Sequence, residues 1–363
     1  MPRERGGPDA AERRSEVVIV SGSLGAGHDS AAAELALRLR DLQIRASVID
    51  YLSRVPSPIS VPMRAGYYAT ASHAPFLLEA LFRSSQWSGG EPPAAMALMA
   101  RTAARRLLPD LAGARVVVST FPFATQAIGR LRGQGLPAVT ASYLTDPAAH
   151  RVWLHPAVDH HLVVTDPTRV SAQAYGFEAT VVGPLVSKEF RRPLSAGERT
   201  ELRTELAVPQ SRVLALLMSG SHGMGQIGNA ADAVRRAGAA PVVLCGSNDR
   251  LRRTLQARGI TALGWRTDVH RLMHAADVLV HNSGGLSFTE SLVVGLPAVT
   301  YMPIAGHGLL NAQVLHDSGL SPWARSAEDL GTLIGRLGSR AGRPIAEAGE
   351  TAASFIAGLC DER

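Results

Sequence analysis

The feature that most constrains this 363-residue chain is one repeated alternation: a short β-branched run, a glycine-bearing turn, then a helical stretch. Such runs fall at 16–21, 45–50, 115–119, 138–143, 160–165 and 179–182. A second series follows at 212–218, 240–245, 260–263, 277–281 and 297–301. Strands that alternate with helices form parallel sheets with right-handed crossovers, because a parallel neighbour is reached only by a long connection. Two series in tandem predict an α/β chain of two Rossmann-like domains with a cleft between them. The length agrees, being too great for one core. Gly183-Pro184 and the polar, arginine-rich stretch 187–200 mark the junction. The expected division is a disordered 1–14, a first domain at 15–186, a second at 187–340, and a C-terminal helix within 341–363 that can return to the first.

Residues 21–40 read SGSLGAGHDSAAAELALRLR. Strand, tight turn and alanine-rich helix together set backbone N–H groups and a helix N-terminus around a phosphate. Gly22, Gly25 and Gly27, with Asp50 ending the next strand, resemble a dinucleotide loop, where an acid about 20 residues on binds ribose. However, the spacing is not G-x-G-x-x-G, and His28 would crowd a pyrophosphate. Two readings stand: a nucleotide loop, or a loop that presents a histidine for chemistry.

The second series has two further turns of this kind. In LMSGSHGMGQIGNA (217–230), Gly220, Gly223 and Gly225 let backbone N–H groups approach an anion. In VHNSGGLSFTESLVVGLP (280–297), Ser283 to Ser287 lie at a helix N-terminus, where the dipole is positive. Glu290, one turn into that helix, can accept hydrogen bonds from paired ribose hydroxyls, or can cap the helix with Ser287. Two anion loops and a carboxylate in one half suit a nucleoside diphosphate. Gly264-Trp265-Arg266 opens a loop that can read a base edge, with Val269 against its face; Trp265 as plain core is the competing view.

Composition limits the rest. The formal charge is +6, and Lys188 is the only lysine. Arginine suits phosphates, but genomic bias produces the same excess. Cys245 and Cys360 lie far apart and make no metal motif, which suits a reducing cytoplasm. The start of the chain lacks an apolar core for a signal peptide, and no apolar stretch nears about 20 residues, so no spanning helix is expected. His150, His155, Asp159, His160 and His161 cluster in sequence without metal-ligand spacing, so no metal is expected.

The sequence resembles glycosyltransferase family 28, the group of MurG and the monogalactosyldiacylglycerol synthases, and more closely the diacylglycerol glycosyltransferases. The likeness is carried by the histidine-bearing glycine loop, by Tyr143-Leu144-Thr145-Asp146, and by the pattern G-W-x-x-x-V-x-x-L-M-x-A-A-D-V-L-V-x-x-x-G-G-L-S-x-x-E-x-L-x-x-G-L-P from Gly264. It extends over 66–85 and 159–186. The resemblance implies a GT-B fold, a nucleotide-sugar donor (usually UDP) in the second half, an acceptor in the first, and inverting transfer without a metal or other cofactor. No D-x-D carboxylate pair is present, so helix dipoles and backbone N–H groups would neutralise the leaving diphosphate.

Carried over by position, Gly220 and Ser221 match the phosphate loop, Gly284, Gly285 and Leu286 the second phosphate turn, Glu290 the ribose carboxylate, and Trp265 and Val269 the base site. The first loop, with Gly25 and Gly27, would face the cleft from the acceptor side. His28 would then be the base for an acceptor hydroxyl, with a phosphate or ligand contact and a structural helix-cap histidine as the competing views. Asp146 would orient His28 or itself be the base, and His150 would line the acceptor cleft. Where relatives commonly carry a Gln/Glu-type pair and then Asn against the donor sugar, this chain has His307, Gly308 and Asn311, which leaves the sugar open. The apolar stretch 63–87, with Tyr67, Tyr68, Phe76, Phe82, Trp87, Arg64 and Arg83, would be a lip facing an anionic membrane surface; a core helix pair is the plain alternative. The expectation is a cytoplasmic, peripheral glycosyltransferase acting on a lipid acceptor, with no nucleic-acid partner. A soluble natural-product acceptor, a nicotinamide oxidoreductase and a non-catalytic nucleotide-sugar sensor are the competing readings.

Overall fold

The computed structural model describes residues 16–87, 92–339, 342, 344, 345 and 350–361. The expectation of disorder at 1–14 falls outside these residues, as do the side chains of Tyr68 and Arg64.

The first six strands are β1 (Val17–Ser21), β2 (Ala46–Asp50), β3 (Val116–Ser119), β4 (Val139–Tyr143), β5 (His160–Val163) and β6 (Thr180–Val181). They form one parallel sheet in the order β2-β1-β3-β4-β5-β6. The other six are β7 (Leu214–Met218), β8 (Ala240–Leu244), β9 (Thr261–Leu263), β10 (Val278–His281), β11 (Ala298–Tyr301) and β12 (Trp323–Ala324). Their sheet, also parallel, runs β12-β11-β10-β7-β8-β9. β12 is a strand the sequence reading did not include; two residues show no alternation to read.

Among the described residues, α-helices join or flank these strands and one follows them. In the first half they are α1 (Ala26–Asp41), α2 (Ser57–His73), α3 (Pro75–Ser84), α4 (Ala94–Leu111), α5 (Pro122–Gly133) and α6 (Asp166–Gln173). The second half adds α7 (Ala196–Glu205), α8 (Ile227–Arg236), α9 (Asp249–Ala257), α10 (Val269–Ala275), α11 (Leu286–Val294), α12 (His307–Asp317) and α13 (Ala327–Leu337). α14 (Ala352–Asp361) packs Ala353 and Ile356 into the first core beside Ala32 and Leu35 of α1. The junction is not all solvated linker: Phe190 is buried in the second core, and a Ser195–Glu198 capping box starts α7.

Both sheets change direction at one point, between β1 and β3 in the first and between β7 and β10 in the second. Loops leaving opposite faces at such a point open a crevice at the carboxyl ends of the strands, where α/β proteins bind ligands. α2, α3 and α4 are inserted between β2 and β3, beside the first crevice. Pro75 separates α2 from α3, since Ala74 before it is held extended at φ −140°. Among the described residues α3 has no fully buried side chain, although Leu78 and Phe82 are half-buried, so α3 is not a core helix.

Candidate active site

A cavity of about 370 Å³ lies between the carboxyl ends of the two sheets. From the second half it is lined by Gly220 and Ser221 after β7, Gly264, Trp265 and Val269 after β9, and Gly285, Leu286 and Glu290 after β10. Gly220, Gly223 and Gly225 have φ of +72°, +58° and +76°, a region only glycine enters without strain. Trp265 is 60% exposed on this wall, so it is not core. Gly246, which the sequence reading passed over, also lines the cavity; a Cβ there would overlap the Ser221 carbonyl. Its position at the carboxyl end of β8 was the available signal.

Glu290 has no hydrogen-bond partner among the described residues, and burial pushes its carboxyl up to about 8. α11 has no side-chain cap at its N-cap Gly285, which removes the capping reading of Glu290. α1 likewise starts at Gly25 without a side-chain cap. A Cβ on Gly27 would sit 3.3 Å from Cβ of Leu286, so the N-termini of α1 and α11 converge on one space. Gly25 and Gly27 therefore line this cavity, beside the anion loops, rather than a separate acceptor space.

Gly284 is placed differently from the expectation. It does not line the cavity; its Cβ position faces Asn311 at 3.1 Å and Pro147 at 3.4 Å. Asn311 does not line it either. Asn311 is 1% exposed, and its amide is committed to protein groups: Nδ2 donates to Asp146 Oδ1 (3.0 Å) and the Ser283 carbonyl (2.7 Å), while Oδ1 accepts from the Ala148 N–H (3.0 Å). A side chain at Gly308 would be tight, its Cβ 3.2 Å from both the Asn282 carbonyl and Ile304 Cβ.

A second cavity, about 730 Å³, opens on the other side of His28. Its walls are apolar residues of α2, α3 and α4, among them Ile59, Met63, Leu81, Phe82 and Met99, with Phe121 and Phe123. Its polar end holds His28, Asp146, His150 and His307. Leu24, His28, Tyr67, Asp146 and His307 line both cavities, so the two spaces meet there.

His28 is fixed by the turn after β3. Its Nδ1 lies 2.8 Å from the Thr120 carbonyl, which can only accept, so Nδ1 carries the proton and Nε2 the lone pair. Phe121 holds the ring edge-on at 5.1 Å between centroids. Phe121 can sit there because Gly22 has no Cβ, which would otherwise overlap its ring. Burial holds the imidazole below its ordinary value, against the opposing pull of Asp146 and the Thr120 carbonyl.

Asp146 is not the group that orients His28. Its Oδ2 accepts from Trp153 Nε1 (2.8 Å) and faces His150 Nε2 at 3.6 Å, while Oδ1 takes Asn311. Burial opposes its ionised form, yet His150, His307 and the Trp153 N–H hold it well below the usual carboxylate range. His150 is buried, and its Nδ1 has no partner among the described residues. His307 begins α12, and Tyr67 stacks on it with centroids 6.5 Å apart. Asp50, the ribose acid of a dinucleotide site, instead accepts the N–H groups of Ser23 and Leu52. In the histidine-rich run, Asp159 pairs with Arg132 and His161 accepts from the His155 N–H, while His150 alone of these lines the apolar cavity.

The fold is GT-B. MurG of Acinetobacter baumannii superposes with a TM-score of 0.58 at 16% identity, covering 96% of this chain and 99% of that one. UGT71G1 of Medicago truncatula, solved in complex with UDP-glucose, gives 0.55 at 14% identity over 97% and 94%. In sequence, residues 28–185 match the monogalactosyldiacylglycerol (MGDG) synthase family. The processive diacylglycerol β-glucosyltransferase of Bacillus subtilis (strain 168) is 27% identical over 218 residues, 56% of this chain and 55% of the relative. Its counterpart in Bacillus licheniformis is 24% identical over 216 residues, again 56% and 55%. The matched region thus spans about half the length of these relatives.

Proposed function

We propose that this chain is an inverting glycosyltransferase that moves a sugar from a nucleotide-diphosphate sugar, with UDP the expected nucleotide, to a hydroxyl of a diacylglycerol-type lipid. The observation that carries this reading is the meeting of two unlike cavities at His28: one walled by anion loops and helix N-termini, one apolar. The match to the MGDG synthase family and the names of the Bacillus relatives support the choice of acceptor.

In this reading the Glu290 carboxylate holds the ribose hydroxyls, Trp265 and Val269 border the base, and the diphosphate lies against Gly220, Ser221, Gly285 and Leu286. The open N-termini of α11 and α1 face it, with Gly25 and Gly27 on the α1 side. His28 Nε2 takes the proton of the acceptor hydroxyl as its oxygen attacks the anomeric carbon. The bond from that carbon to the diphosphate breaks, and the electron pair leaves with the nucleotide. Backbone N–H groups and helix dipoles stabilise that charge, with no metal required. Asp146, locked and strongly acidic, serves as a fixed anion beside the histidines rather than as the base. His307 and Tyr67 stand where the sugar passes from one cavity to the other.

Access to the lipid would come from α2–α4. No helix among the described residues is long and apolar enough to cross a membrane. These helices instead expose Val61, Phe76, Leu81 and Leu98, the last two at the apolar cavity, with Arg83, Arg101 and Arg105 also exposed. The test is transfer from radiolabelled UDP-sugars to diacylglycerol in anionic vesicles, with and without EDTA. A glycolipid product whose rate EDTA leaves unchanged is expected. Transfer only to water-soluble acceptors would replace the lipid reading with the natural-product one.

A further inference from the structure

Asn311 joins three groups that the reading above places on different substrates. Its amide holds the Ser283 carbonyl of the donor turn, the Ala148 N–H of the loop after β4, and Asp146 Oδ1 on the same loop. The turn and the loop touch directly, since Pro147 lies 3.4 Å from the Cβ position of Gly284. Asp146 in turn faces His150 Nε2 at 3.6 Å and accepts from Trp153 Nε1. His150 lines the apolar cavity, and its Nδ1 is buried without a partner among the described residues, an arrangement that is costly unless something else occupies it.

We propose that Asn311 is a positioning residue: it ties the donor turn to Asp146 and, through Asp146, sets His150 in the acceptor cavity, so that the acceptor is held correctly only while the two halves keep this register. The proposal rests on the assignment of the donor and acceptor cavities above. It differs from a donor-sugar contact for Asn311, which would act on donor affinity.

The test compares Asn311→Ala and Asn311→Asp with the wild type. The readings are UDP affinity by calorimetry and the kinetics of transfer to diacylglycerol vesicles between pH 5 and 8. For Asn311→Ala, UDP affinity should stay within about threefold, while the acceptor KM rises about tenfold or kcat falls by as much. Asn311→Asp sets a second carboxylate beside Asp146. Two such acids share one proton readily, so its loss of roughly 100-fold at pH 7.5 should shrink as the pH falls. His28, His150 and His307 face Asp146 as well. Their own titration is read from Asn311→Ala, which lacks the second acid. Parallel loss of UDP affinity and turnover would make Asn311 a donor contact and overturn the proposal. Unchanged kinetics in both variants, or identical pH profiles for the two, would overturn it too. If Asn311→Asp does not fold, the KM and affinity readings on Asn311→Ala decide. Glu290→Ala is run alongside: unchanged UDP affinity in that variant would refute the cavity assignment itself, independently of Asn311.

Discussion

Glu290 is a half-buried carboxyl with no hydrogen-bond partner among the described residues, at the wall of the proposed donor cavity, and desolvation there disfavours its charged form. Its folded value, about 8, lies above its ordinary 4.5, so the folded chain holds this proton more tightly than the unfolded one. The sign follows: this group's penalty on stability is absent at low pH and grows as the pH rises through 4.5 toward 8. Ribose hydroxyls that donate to the ionised form oppose the penalty. UDP binding should therefore release a proton and strengthen as the pH rises from 6 to about 8. Calorimetry in buffers of different ionisation enthalpy reads the release directly, and Glu290→Gln should abolish it. Glu290→Ala should weaken UDP by about 2–4 kcal/mol, the loss of two charge-assisted hydrogen bonds. Pattern alone did not place every residue. Glu290 could be read from a helix N-terminus and a spacing of one turn. Asn311 could not, because its partners Ala148 and Asp146 lie 163 and 165 positions away in the other half.

At the scale of elements, the helix N-termini of α1 and α11 and the strand-end turns were legible because each is a local pattern: β-branched run, glycines, helix. What α2, α3 and α4 do was less legible. Their sequences are apolar with interspersed aromatics, which a buried helix pair and an exposed lip share. The packing distinguishes them, since Glu79 of α3 accepts the Gly306 N–H at the start of α12, 2.7 Å away, and Phe82 covers Gly306 where a Cβ would be 3.0 Å from it. α3 thus reaches the second half through Glu79 and Phe82, while Phe76 is exposed to solvent. If this face lies on a bilayer, binding to anionic vesicles should be salt-sensitive, at about 1 kcal/mol per arginine near the surface. Arg101→Gln with Arg105→Gln should weaken co-sedimentation at low salt, and Phe76→Ser should weaken it at any salt. Undiminished binding of the arginine variant to anionic vesicles at low salt would count against a charged membrane face. Arg83 contributes less, being paired with Glu79 at 2.8 Å.

For the whole molecule, two parallel sheets and a cleft between them follow from strand spacing, and the direction reversal of each sheet sets where the cleft opens. The site needs both halves: neither cavity is complete without residues of the other, and His28, Tyr67, Asp146 and His307 border both. That division of labour is the central claim, and His28→Ala tests it most directly. The variant should bind UDP with wild-type affinity in calorimetry and lose roughly 100-fold or more in turnover with UDP-sugar and diacylglycerol, as expected for a missing general base. Turnover close to wild type, or a large loss of UDP affinity, would contradict the account: the first would place the base elsewhere, and the second would make His28 a nucleotide contact rather than the base.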